Sequence, residues 1–261
     1  MSGEHAPLLA SRDLSKLFGG VVALDTLNLE VFPDDVLGLI GPNGSGKTTF
    51  FNVVTGIYPA TRGEIRFDGS VVTNRSPQAV YRAGIARTFQ RSRLSLPLSI
   101  FDNIMIGNHK RLNHGLWFNL VRRGAFRGEL EASFEAARDL VRVFDAPLAD
   151  RMFDPVGGIP MIDRRRIEIC RALISQPKLL LLDEPSAGMT AEETRVLMDD
   201  IMEVKGRFEN LTIIIVEHEM EVIERITNRC VVLNFGQKIA EGTYREIAAE
   251  RQVQEAYLGI Q

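Results

Sequence analysis

The sequence predicts a three-layer α/β core with a helical lobe inserted into it, and three observations carry that expectation. Three short aliphatic runs, "VLGLI" (Val36–Ile40), "LLLLD" (Leu179–Asp183) and "TIIIV" (Thr212–Val216), lack the alternation of a half-exposed strand and suit strands covered on both faces. They alternate with segments of helical spacing, the pattern of a parallel sheet layered by helices. Between the first and second runs, roughly Leu96 to Gln176 reads as mostly helical, with apolar residues at helical spacing in "RGELEASFEAARDLVRVF". The expected organisation is therefore one domain over 1–261. Its core is formed by 1–95 and 177–261 and its helical lobe by 96–176.

In chain order, Leu8–Ser15 and Ala23–Val31 alternate enough for antiparallel strands, a β subdomain ahead of the first buried run. "KTTFFNVVTG" follows that run as a helix. After the third run, "VVLNFGQKIAEGTYREI" reads as a hairpin turned at Gly236 and then a helix. No internal repeat or low-complexity tract interrupts the pattern.

Composition narrows the class. A chain of 261 residues with 45% hydrophobic and 25% charged residues reads as an ordinary globular protein. Its 31 basic and 34 acidic residues give a net charge of −3, without the basic excess of a general nucleic-acid binder. Cys170 and Cys230 lie in apolar patterns and suggest a reduced compartment. No stretch approaches 18 uncharged apolar residues, and "MSGEHAPLLASRD" lacks the pattern of a signal peptide. The expected location is cytoplasmic, so any work at a membrane is done from that side.

The strongest motif is "GPNGSGKTT", Gly41–Thr49, which fits G-x-x-x-x-G-K-[ST] between a buried strand and a helix. Its glycines let the backbone N–H groups of Asn43, Gly44, Ser45, Gly46 and their neighbours curl inward, and the helix N-terminus adds positive potential for phosphate. Lys47 is placed for the β- and γ-phosphates and Thr48 for Mg²⁺, with Thr49 the last of the nucleotide-binding residues in the motif. "LLLLDEP" supplies the acidic half: Asp183 to hold Mg²⁺ through water and Glu184 to polarise an attacking water. The bland reading, two solvated carboxylates at a strand end, does not account for the four leucines before them or the phosphate loop upstream.

The order of these motifs resembles the ATP-binding subunit of an ABC transporter over almost the whole chain. The resemblance implies an α/β fold in which a RecA-like P-loop ATPase core carries an antiparallel β subdomain and an inserted helical lobe. It also implies ATP with Mg²⁺. Phe18 in "KLFGG" matches the aromatic that stacks on adenine, with a strand-core role as the alternative. Gln90 in "ARTFQ" matches the glutamine that approaches Mg²⁺ and the attacking water. His218 in "VEHEM" matches the histidine that contacts the γ-phosphate. The resemblance makes the reaction an in-line attack of water, with Glu184 as base and Lys47, Mg²⁺ and His218 stabilising charge. "SAGMT", Ser186–Thr190, matches the loop that crosses a dimer interface, with Met189 where many members have aspartate.

Within the family, "LFGGVVALD", "ARTFQRSRL", "DNIMIG", "DEPSAGMT", "VEHEM" and "VQEAYLG" resemble the ATPases of branched-chain amino acid importers, as does an extended lobe over Asn108–Asp150. Amide or urea importers and a lipopolysaccharide-exporting ATPase are close in style. A soluble ABC protein of repair or translation is disfavoured by the single cassette and the charge. "GLWFNLVRR", with Trp117, reads either as lobe core or as a membrane-facing or partner-facing patch. The implied partners are a second ATPase subunit arranged head-to-tail around two ATP molecules, integral permease subunits and, indirectly, a solute-binding protein. The implied place is peripheral, on the inner face of the cell membrane. The transported solute is not written in this chain.

One segment departs from the family. Twenty residues before Asp183, where the signature usually reads LSGGQ, LPYGQ or LSYGQ, this chain has Ile159, Pro160, Met161, Ile162 and Asp163. Ile162 replaces a glycine whose backbone approaches the partner's γ-phosphate, and Asp163 brings a carboxylate to a helix start that should greet phosphate. A unit charge pair about 4 Å apart at an effective dielectric near 20 repels by roughly 4 kcal/mol, unless Arg164 or Arg165 screens it. A favourable helix terminus gives only about 0.3–1 kcal/mol. The expectation is a heterodimer with an ordinary signature on the partner, although a regulatory module that does not hydrolyse is a further reading. An alternative alignment starts the helix one turn earlier and uses Gly157 and Gly158 of "VGGI" as a displaced phosphate nest.

Overall fold

The computed structural model describes residues 6–90, 93–108 and 123–258, and they form two compact units. The first comprises 1–87, 178–185 and 210–261, and the second 88–177 and 186–209. Of the expected extension over Asn108–Asp150, residues 109–122 lie outside the described residues, and Trp117 lies with them.

Among the described residues the first unit holds two sheets. The antiparallel sheet is ordered β2-β1-β4-β5, from β1 (Leu9–Phe18), β2 (Val21–Val31), β4 (Arg62–Phe67) and β5 (Ser70–Val71). The other is ordered β10-β9-β3-β8-β7-β6, from β3 (Val36–Ile40), β6 (Ile85–Arg87), β7 (Leu179–Asp183), β8 (Thr212–Val216), β9 (Arg229–Asn234) and β10 (Gln237–Gly242). Its strands run parallel except β10, which turns back on β9 at Gly236. Every residue of β3, β7 and β8 is buried, as uninterrupted aliphatic runs require.

Helices α1 (Lys47–Val54), α2 (Pro77–Ala83), α8 (Met220–Ile226), α9 (Tyr244–Ala248) and α10 (Arg251–Leu258) complete this unit, numbered along the whole chain. Phe50 and Phe51 of α1 are fully buried in a cluster with Leu24, Leu37, Leu181 and Ile214. At about 1.5–3 kcal/mol per buried side chain, they pin the helix that carries the phosphate loop. The segment 62–87 was not read from sequence, although its helix is signed by Ser76 as N-cap, Pro77 at the first position and Gly84 at the C-cap.

The second unit is helical: α3 (Ile100–Ile106), α4 (Arg123–Phe144), α5 (Ala146–Ala149), a 3₁₀ turn over Val156–Gly158, α6 (Met161–Leu173) and α7 (Ala191–Arg207). The boundaries expected from the sequence are 95/96 and 176/177. The structure draws them at 87/88 and 177/178, and it groups 186–209 with the helices. The reason is α7, which follows a core strand in sequence but packs on α4 and α6. No helix among the described residues is long and apolar enough to cross a membrane.

A buried ion pair joins the edge of the parallel sheet. Arg87 Nη2 donates to Asp183 Oδ2 at 2.6 Å, with side chains only 5% and 3% exposed. The same guanidinium donates to Asn52 Oδ1 at 2.7 Å and lies 5.3 Å from the Phe51 ring centroid. Arg87→Met keeps the bulk but leaves a buried carboxylate unpaired. It should cost about 3–5 kcal/mol in a urea titration, far more than an exposed Arg→Met such as Arg127→Met.

Candidate functional site

The loop between β3 and α1 is shaped by close backbone approaches. Gly41 has φ 146°, and a Cβ there would lie 2.1 Å from the Leu233 carbonyl oxygen. Gly46 has φ 108°, and its Cβ would lie 2.7 Å from the Ala23 carbonyl oxygen. Only glycine fits either place. Asn43 and Gly44 are exposed at the tip, Ser45 is buried, Thr48 is exposed and Thr49 is half-buried. The α1 N-terminus has no side-chain cap and no acid in its first turn, so its leading N–H groups are left for an anion. The Lys47 ammonium curls over the loop, donating to the carbonyls of Gly41 (2.6 Å) and Pro42 (3.0 Å). Burial pulls its pKa below the ordinary lysine value, against the opposing pull of Glu184 and Asp183.

The acids emerge at the C-terminal end of β7. Arg87 occupies one oxygen of Asp183, and the other, Oδ1, is buried with no hydrogen-bond partner among the described residues. A carboxylate oxygen left over in this way suits a hydrated cation, and Thr48 on the loop is exposed. Among the described residues no group of three or more His, Cys, Asp or Glu is placed to hold a metal ion. Glu184 has φ 48°, a left-handed conformation that disfavours any residue but glycine. Its N–H bonds the Val216 carbonyl at 2.9 Å, and its Oε1 lies 2.8 Å from His218 Nε2. The left-handed turn brings the carboxylate across to His218, two residues past the end of β8.

Phe18 ends β1 and is 42% exposed, which removes the strand-core alternative. Its neighbour across the hairpin is Val21, and further along β2 Ala23 and Leu24 abut Gly46. Sequence reading missed a cleft of about 450 Å³ lined by Pro42–Ser45, the turn at Asn234 and Phe235, and Gln252, Glu255 and Ala256 of α10.

The other expected residues belong to the second unit. The Gln90 carbonyl accepts from Arg165 Nη2 at 2.8 Å. Met189 is half-buried, its N–H bonded to the Ser186 carbonyl, and Gly188 turns the loop at φ 83°. In the signature region Ile159 is buried and Pro160 stands at the N-cap, with no side-chain cap for the helix that begins at Met161. That corrects the displaced-nest alternative: α6 does not start a turn early, and the Gly157 N–H is already bonded to the Leu96 carbonyl at 2.9 Å. Ile162 is half-buried in the first turn.

Asp163 is screened, but by neither expected arginine. Its Oδ1 accepts from Arg166 Nη1 at 2.9 Å, while Arg164 bonds the Gly157 carbonyl and Arg165 pairs with Glu168. Arg166 also meets Asp145 at 3.2 Å and Asp200 at 2.8 Å. Burial works against its charge, but the hydrogen bonds it donates to Asp200 and Asp163 raise its pKa overall. Burial lifts the Asp200 carboxyl above its ordinary value despite that arginine.

A loop of this form, an acid pair and a histidine at adjoining strand ends are the parts of one nucleotide family, and the ABC transporter model matches residues 24–187. The chain belongs to the ABC transporter family. ATP binding and hydrolysis are the activities of such subunits, and they are this chain's. A second model, described as branched-chain amino acid ATP-binding cassette transporter, matches 237–260. Among curated relatives, the high-affinity branched-chain amino acid transport ATP-binding protein LivG of Escherichia coli (strain K12) is 37% identical over 254 residues, covering 97% of this chain and 98% of that protein. BraF of Pseudomonas aeruginosa, with the same description, is also 37% identical with the same coverage. Among solved structures, a nucleotide-free ATP-binding cassette from an ABC transporter aligns with TM-score 0.82 and 28% identity over 96% of this chain and 98% of that one. The ADP conformation of another such cassette aligns with TM-score 0.82 and 27% identity over 97% and 99%.

The arginine hub makes a measurable prediction for this ABC subunit. Arg166→Met strands three carboxylates, so denaturation should show a loss of about 3–5 kcal/mol. Adding Asp200→Leu should recover part of it, which a loss due to packing alone would not allow.

Proposed function

We propose that this ATPase subunit powers import of branched-chain amino acids. It works at the cytoplasmic face of the membrane, docked on integral permease subunits that receive solute from a separate binding protein. The observation that carries the reading is the match over 237–260, joined to 37% identity with importer ATPases along 97% of the chain. Those relatives do not favour the export alternative, and the intact arrangement of Lys47, Asp183, Glu184 and His218 argues against a regulatory module that does not hydrolyse.

In this reading Phe18 stacks on adenine, the N–H groups of Asn43 to Thr49 cradle the phosphates, and Lys47 leaves its loop carbonyls for phosphate oxygens. Thr48 and the spare oxygen of Asp183 would hold Mg²⁺, which would supply charge neutralisation at the reacting phosphate. Glu184, steadied by His218, takes the proton of the attacking water. Glu184→Gln keeps the shape and removes the base. In the assembled transporter ATP binding should persist while hydrolysis and uptake of labelled leucine, isoleucine and valine fall by at least two orders of magnitude. Unchanged turnover would remove Glu184 from the role of base; loss of uptake of a different solute only would overturn the substrate class.

Two such subunits enclose two ATP molecules in this proposal. The heterodimer expectation rested on Asp163 and Ile162 together. Asp163 is now held by Arg166, so the case for unequal sites rests on Ile162, which stands where glycine leaves room. In a purified homodimer Ile162→Gly should raise ATP turnover several-fold, whereas Asp163→Gln alone should leave it within about twofold. A homodimer already fast and unmoved by Ile162→Gly would remove the case for a heterodimer.

A further inference from the structure

Lys16 is a buried ammonium without an anion. It lies on β1 two residues before Phe18, beside a register shift in the β1–β2 pairing. It is only 9% exposed, and among the described residues no carboxylate lies within ion-pair distance. Its Nζ donates to the Pro59 carbonyl at 2.9 Å and lies 4.7 Å from the Phe18 ring centroid and 5.8 Å from that of Tyr58. The two rings meet at 81°, centroids 5.2 Å apart, and the ammonium sits in the corner between them. Burying a charge is unfavourable unless it is compensated, and a methionine or leucine would fill this place without that penalty. The compensation here is aromatic.

The segment bearing Tyr58 is laced in two directions. Its N–H groups at Ile57 and Tyr58 bond the Asn52 carbonyl of α1, and Thr61 bonds β1 on both sides, its N–H to Ser15 and its hydroxyl accepting from the Leu17 N–H. The helix of the phosphate loop and the ring of Phe18 are thereby set at a fixed spacing.

We propose that Lys16 and Tyr58 are positioning residues for the nucleobase, a role that rests on the reading of Phe18 as the adenine platform. The ammonium covers one face of Phe18 and Tyr58 blocks its rotation, so the opposite face is the one presented. A cation on the covered face draws electron density from the ring and strengthens stacking of an electron-rich purine on the other. Neither residue touches the phosphates, so the effect is confined to ligands that carry a base.

The experiment is calorimetry on the full chain with ADP and with inorganic tripolyphosphate. Lys16→Met should weaken ADP binding by about three- to ten-fold, leave tripolyphosphate binding unchanged, and be rescued by Lys16→Arg. Tyr58→Leu should act in the same direction, and retained tripolyphosphate binding certifies the folded loop in each variant. If Phe18→Ala weakens ADP but Lys16→Met does not, the positioning role is overturned and the platform stands. If Phe18→Ala leaves ADP binding intact, the platform itself falls and the proposal with it. Equal losses for ADP and tripolyphosphate in Lys16→Met would make Lys16 merely structural and overturn the proposal.

Discussion

The pair between Arg87 and Asp183 is the interaction on which the arrangement of the nucleotide site depends. Asp183 is the last residue of β7 and its carboxyl is buried. A guanidinium at 2.6 Å compensates that burial while engaging only one of its oxygens. The same group bonds Asn52 and lies beside Phe51, both on α1. One side chain thus ties the acid strand to the helix of the phosphate loop, and Lys47 consequently feels both acids of "DEP".

Strand order does the rest. β8 lies between β3 and β7, so His218, two residues past its end, is delivered beside Glu184 at the end of β7. Reactive groups that are remote in sequence meet because parallel strands all end on one edge. The left-handed turn at Glu184 is the local distortion that this convergence requires.

The elements most legible in the sequence were those whose signal is local. An aliphatic run with no alternation means burial on both faces, and β3, β7 and β8 obey it; the phosphate loop is a short pattern whose glycines have steric causes. What escaped was non-local. Nothing in "GIARTFQ" says that Arg87 will face an acid from the adjoining strand, because that follows from the pairing of β6 with β7. Lys16 reads as a charged residue on a half-exposed strand until Tyr58 is brought beside Phe18. The placement of α7 failed for the same reason: adjacency in sequence to a core strand does not determine which helices it packs against.

Asp163 shows a local signal read with the wrong period. Arg164 and Arg165 are its neighbours in sequence, but on a helix the residue on the same face is three or four positions on, and Arg166 stands there. The repulsion of roughly 4 kcal/mol expected at the helix start assumed a carboxylate aimed along the axis; paired sideways with Arg166, the charge is answered at closer range. Arg166 is then shared among three carboxylates, and burial raises the carboxyl of one of them, Asp200, above its ordinary value despite that arginine. For such a group the fold favours the protonated form, so its contribution to stability is present below the unfolded value and is lost as pH rises through the folded one. The arginine that opposes this upward shift of Asp200 is the same one that pairs with Asp163 in the first turn of the signature helix.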